Sequence, residues 1–229
     1  MPYYYFDWTY VVLVLPCVLL SLWASANVNS TFRKYSRQYS SRRLTGAEAA
    51  QRVLSANGVS GVRIERISGN LTDHYDPSSK TLRLSDSVYG SDSVAAVGVA
   101  AHECGHALQE HDGYGLLKLR TALVPVVNIG SSLYLPIFMA GLLFSWEPLQ
   151  MVGILCFGLT LLFSLVTLPV EINASKRALG MLEGVLDAEE LQGAKAVLSA
   201  AALTYLASVI SSALQLLRLI LISRSRNRD

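Results

Sequence analysis

The residues best placed to do chemistry are His102-Glu103-Cys104-Gly105-His106. On a helix, positions four apart lie one turn apart on the same face. Two imidazoles so placed can share one small tetrahedral ion, and Zn²⁺ readily takes nitrogen ligands in that geometry. Glu103 falls at the edge of the same face. There a carboxylate can hold a water beside the ion and take its proton. The flanks, from Ser91 to Gly113, are strongly apolar, so no solvated helix face accounts for the two histidines. Ser91 or Asp92 is expected to cap this helix and Gly113 to end it. Gly98 and Gly105 lie near the histidine face and leave room for another backbone or a ligand. Cys104 points to a different face, so it reads as a packed thiol.

The elements that must position this motif are set in a chain of 229 residues with a formal charge of +2. That balance carries no nucleic-acid signal. A mean hydropathy of +0.37 is too high for an ordinary soluble domain, and the apolar residues come in blocks. Cys17, Cys104 and Cys156 have no disulfide or Cys-x-x-Cys spacing, so nothing argues for an oxidising compartment. Tyr10 to Ala26 is just long enough to span a bilayer, with Trp8 and the tyrosines before it as interfacial anchors. Asp7 precedes this block, and the positive charge (Arg33, Lys34, Arg37, Arg42, Arg43) follows it. That is wrong for a signal peptide and right for an uncleaved anchor with its N-terminus outside.

Thr45-Gly46-Ala47-Glu48 is a capping box opening a short amphipathic helix that Asn57-Gly58 closes. Val62 to Glu65 alternates like a strand, and Leu71–Tyr75, the Asp76-Pro77-Ser78-Ser79 turn and Lys80–Leu84 read as a hairpin. Leu123 to Phe144 and Met151 to Val170 form a transmembrane hairpin around the turn Ser145 to Gln150. Its first limb contains Pro125, Asn128 and Pro136, and is expected to be kinked or partly packed against protein. Asp187-x-x-Glu190 starts a last long helix, whose apolar part runs from Val197 to Ile222 and contains Gln215 and Arg218. Ala200, Thr204, Ser208 and Ser212 form a helix-packing stripe along it, and Arg218 is expected to snorkel toward an interface. A full crossing would put Arg224, Arg226 and Arg228 outside, against the charge rule. The helix therefore tilts, stops short, or has a tail that is a tolerated exception.

The expected fold class is an α-helical integral membrane protein with three to four transmembrane helices and a small α+β zincin-like catalytic unit. Its divisions are an anchor (1–30), the catalytic unit (31–121), a transmembrane hairpin (122–170) and a third-ligand helix running into the long C-terminal helix (171–229).

A hydrolytic zinc site takes three protein ligands and one open position. A metzincin places its third histidine six residues after the second, with a glycine midway. Asp112 and Gln109 stand there instead, which excludes that class. Glu110, His111 and Asp112 lie within a turn or so of His106 and do not easily reach the same ion while the helix continues. Glu171 is the better candidate. Two membrane crossings separate it from the motif, so it returns to the same face, whereas Glu147 is on the opposite one. The basic residues, with Lys118, Arg120, Lys176 and Arg177 added to those after the anchor, flank the motif side. That side is therefore expected to be cytoplasmic.

The stretches VAAHECGHALQ, LTDHYDP, LRLSDSVYG and TLPVEINASKRAL resemble the YugP-type neutral zinc metallopeptidases of membranes, over nearly the whole chain. The site is also similar to that of HtpX-like membrane proteases, whose third ligand is the glutamate of a Glu-x-x-Ala-Asp motif. The corresponding residues are Glu171-Ile172-Asn173-Ala174-Ser175. The resemblance implies Zn²⁺ held by His102, His106 and Glu171, with Ser175 where the family's aspartate would contact a ligand histidine. The expected function is a membrane-bound endopeptidase in which Glu103 is the general base, acting on protein or peptide substrates, membrane proteins among them, within the lipid bilayer of the cell membrane. A scaffold with a structural zinc, or hydrolysis of a non-peptide bond, are the alternatives. Glu103 argues against the scaffold, because a structural site needs no base beside its ligands. His74, Tyr75, His111 and Tyr205 are candidate oxyanion donors, and the Leu71–Tyr75 strand can take an extended substrate at its edge.

Overall fold

The structure, a computed structural model, describes residues 9–226. The expected interfacial residues Tyr3, Tyr4, Tyr5 and Trp8, and also Asp7 and Arg228, lie outside them. A π-helical turn, Tyr10–Val14, leads into α1 (Leu15–Tyr35); the elements that follow are α2 (Gly46–Ala56), β1 (Arg63–Ile67), β2 (His74–Asp76), β3 (Thr81–Ser85), α3 (Asp86–Tyr89), α4 (Val94–His111), α5 (Gly115–Leu143), α6 (Glu147–Leu182) and α7 (Ala188–Arg226). Among the described residues, four stretches are helical, long and apolar enough to cross a membrane: Tyr10–Tyr35, Gly115–Leu143, Glu147–Leu182 and Ala188–Ser225. The fold is a helical membrane protein with a small α+β part, at the upper end of the expected helix number.

The chain packs into two compact units. The first comprises, among the described residues, 9–23, Leu119–Leu168 and 204–226. Here α5 and α6 pass closely, because a Cβ on Gly153 would stand 2.7 Å from the Phe138 Cβ. Gln150 is fully buried and bridges two chain segments: its Nε2 donates to the Gly141 carbonyl at 3.2 Å, and Ser223 Oγ donates to its Oε1 at 2.7 Å. Two members of the small-residue stripe, Ser208 and Ser212, place their hydroxyls 3.3 and 3.4 Å from that of Ser164. The Arg218 guanidinium stacks over the Tyr10 ring at 5.3 Å. In this way an arginine among apolar helices meets an aromatic face. Pro125 and Pro136 are both accommodated inside one continuous helix.

The second unit, Ala24–Lys118 and Pro169–Leu203, holds the chemistry. Its sheet has the order β1-β3-β2, with β1 parallel and β2 antiparallel to β3. The hairpin of the sequence reading is present, but its first limb begins at His74. Leu71 has φ +55°, which takes it out of the extended region and delays the strand. Asp76 closes the turn by accepting from Ser78 N and Ser79 Oγ. Thr45 and Glu48 make both bonds of the capping box. Asp187 and Glu190 cap α7 reciprocally at 2.9 Å each. Glu190 also accepts from the Ser41 backbone, tethering the loop after α1.

Helix α4 is the axis of this unit. Ser93, rather than Ser91 or Asp92, caps it by accepting from Ala96 N at 3.2 Å. Asp92 is instead paired with Arg43. Two glycines let other helices reach the α4 backbone. A Cβ on Gly105 would lie 2.5 Å from the Ala174 carbonyl oxygen of α6, and one on Gly98 would lie 3.3 Å from the Ala194 Cβ of α7. The room those glycines leave is filled by protein. Gly105→Ala should therefore cost about 1–3 kcal/mol of stability, as overpacking does, read by chemical denaturation in detergent. Gly180→Ala, also in α6 but with nothing within 4 Å of its added carbon, should be neutral or slightly stabilising.

Candidate metal centre

The α4–α6 crossing decides which side chains meet. Gly105 lies on Ala174, and side chains of the two helices meet around that contact. His102 and His106 come from α4 and Glu171 from α6, far apart in sequence. Glu171 Oε2 lies 3.2 Å from His102 Nε2 and 3.5 Å from His106 Nε2. The ligand atoms of the three residues all lie within 4.8 Å of one another. The imidazoles stand edge to face with ring centres 4.9 Å apart. Glu171 is 2% exposed and His106 8%.

This donor set fits zinc. Bonds of about 2.0–2.1 Å at tetrahedral angles put ligand atoms roughly 3.3–3.4 Å apart, and the two carboxylate–imidazole separations bracket that value. Two nitrogens and one oxygen also match the ligand types of hydrolytic zinc sites, which keep a fourth position open. The far nitrogens of both rings are occupied: Ser175 Oγ is 3.2 Å from His102 Nδ1, and Gln109 Oε1 is 3.0 Å from His106 Nδ1. In both rings this leaves Nε2 on the Glu171 side. Ser175, which replaces the aspartate of the HtpX-like motif, reaches His102.

Glu103 is buried beside the cluster. Burial pushes its carboxyl up to about 7, while His102 opposes the rise, the Glu171 and Asp73 charges add to it, and a backbone hydrogen bond from Tyr75 counters it. Cys104 is turned away, its Sγ 3.7 Å from the Ala50 carbonyl, and burial pushes its thiol well above the usual range. Among the other sequence candidates, His111 pairs with Asp112 on the exposed end of α4. His74 is exposed, with Nδ1 2.9 Å from the Thr72 carbonyl. The Tyr75 hydroxyl donates to Glu110. Tyr205 belongs to the other compact unit. Two residues had no role at the site in the sequence reading, Gln109 and Asn173. Gln109 is fully buried on α4 and contacts both His106 and α6. The only signal for it was an amide on an otherwise apolar helix face, three residues after a ligand candidate.

The family described as "Putative neutral zinc metallopeptidase" matches residues 10–224. A relative from Bacillus subtilis (strain 168) named "Putative membrane protease YugP" is 44% identical over 215 residues, covering 93% of this chain and 96% of its own length. No solved structure matches. The chain belongs to this family of neutral zinc metallopeptidases: it is a membrane metalloprotease with zinc as its cofactor. An ion held by all three side chains would make them interdependent. His102→Ala should remove most of about one zinc per chain. Glu171→Gln should weaken zinc binding markedly, and Glu183→Gln, on an exposed residue, should not. Atomic absorption and competition with a chelator read both.

Proposed function

We propose that this family member is a gluzincin-type endopeptidase in which His102, His106 and Glu171 hold the zinc and Glu103 is the general base. The observation that carries the reading is the convergence of two imidazole nitrogens and one carboxylate oxygen on one buried point, with a further buried carboxyl alongside that does not belong to the trio. Zinc bound there supplies a Lewis acid for a water and for the scissile carbonyl. Glu103 takes the proton of the attacking water and hands it to the nitrogen of the leaving amine as the peptide bond breaks. A carboxyl near 7 suits both halves of that task at neutral pH. Burial of Glu171 keeps its charge in a medium of low dielectric, where it orients the two rings by more than it would in water.

The sheet supports a peptide substrate. β2 is an edge strand, and an open edge can pair with the backbone of an extended chain. β2 packs on α4, and its Tyr75 reaches Glu103 through the backbone and Glu110 through its hydroxyl. A peptide added along that edge runs past the general base. The active site belongs on the cytoplasmic face, because Arg33–Arg43, Lys118, Arg120, Lys176 and Arg177 cluster in the sequence on its side of the apolar blocks, whereas the Ser145–Gln150 turn has no basic residue.

Glu103→Gln should keep its zinc and lose turnover by about 10²–10⁴-fold toward a peptide the wild type cleaves. Full activity in that variant would remove Glu103 from the mechanism. For orientation, Lys80→Cys in intact cells should stay unreactive toward a membrane-impermeant maleimide, and Trp146→Cys should react. Labelling of residue 80 from outside contradicts the cytoplasmic assignment.

A further inference from the structure

We propose that Gln109 is a positioning residue for the zinc site: it holds His106 with its proton on Nδ1 and so leaves Nε2 free for the metal. This rests on His106 being a zinc ligand. The inference comes from which groups can only donate and which can only accept.

Gln109 is fully buried. Its amide meets three partners: the Val170 carbonyl at 2.8 Å, Asn173 Oδ1 at 2.9 Å and His106 Nδ1 at 3.0 Å. The Val170 carbonyl can only accept. The orientation of Asn173 is fixed from outside, because Arg177 Nε lies 2.9 Å from the same Oδ1 and a guanidinium can only donate. That atom is therefore the amide oxygen, and it too accepts. Two acceptors claim the NH₂ of Gln109, so its oxygen is the atom that faces His106. Nδ1 must then carry the proton, and the ring nitrogen without one is Nε2, on the Glu171 side. Arg177 is itself held by Asp112. One series of forced assignments thus runs from a surface ion pair, through Asn173 and Gln109, to the nitrogen offered to zinc. His102 has no equivalent: its Nδ1 meets the Ser175 hydroxyl, which can donate or accept.

Such contacts to ligand histidines typically change metal affinity by about 10–100-fold. Gln109→Met keeps the side chain's length and removes its acceptor, and it should weaken zinc binding by that factor. Asn173→Asp keeps an oxygen between Gln109 and Arg177 and should bind zinc nearly as the wild type does. Asn173→Ala removes that oxygen and should show a smaller loss than Gln109→Met. A merely structural role would show this order in unfolding stability and leave zinc affinity unmoved.

The decisive readout compares wild type with Gln109→Met. In zinc-loaded protein labelled with ¹⁵N-histidine, the His106 Nδ1 proton should exchange slowly with solvent in the wild type and faster in the variant. A proton on Nε2 of His106 overturns the inference, and so does wild-type zinc affinity in Gln109→Met. Wild-type affinity in His106→Ala instead removes the ligand assignment beneath it, so the two failures are separable.

Discussion

A buried carboxylate between two imidazoles is the constraint on which the rest of the structure depends. Taking an isolated carboxylate out of water costs far more than one contact returns, so a buried anion persists only with a cationic or hydrogen-bonding environment built around it. Glu171 has two imidazole nitrogens within 3.5 Å. Supplying them requires α4 and α6 to touch backbone to backbone, and that in turn requires a glycine at 105. The capping of α4 by Ser93 and of α7 by Asp187 and Glu190 fixes where the crossing helices begin. The small sheet, packed on α4 through β2, lies against the same helix.

Much of this was legible in the residues. The four-residue spacing of His102 and His106, the capping boxes at Thr45 and Asp187, the turn at Asp76 and the long apolar blocks are local signals, and local physics decides them. Glu171 was reachable by counting crossings, a topological argument that needs no contact information. The misses are of another kind. Ser93 replaced Ser91 and Asp92 as cap because Asp92 is drawn off by Arg43, a partner 49 residues away. β2 starts late because Leu71 takes a left-handed conformation that no propensity announces. The parallel pairing of β1 with β3 is set by tertiary packing. Gln109 and Asn173 gained meaning only when α4 and α6 were placed side by side.

The arrangement also separates what family membership supplies from what the side chains add. Membership gives a zinc-dependent membrane metalloprotease. The proposed roles come from environment. Two glutamates lie close together in a buried site, but Glu171 faces both imidazoles, whereas Glu103 sits where burial raises its carboxyl to about 7. On the proposed reading one carboxylate holds the metal and the other moves the proton. Their surroundings push them toward those different tasks.

The central claim is that His102, His106 and Glu171 share one zinc ion. Zinc K-edge X-ray absorption on the metal-loaded wild-type protein in detergent tests it most directly. The account predicts two imidazole nitrogens at about 2.0–2.1 Å, carboxylate oxygen at about 2.0–2.2 Å and no sulfur, with the carboxylate contribution lost in Glu171→Ala and the two imidazoles retained. A sulfur scatterer at about 2.3 Å, a third imidazole, or a spectrum unchanged by Glu171→Ala would contradict it.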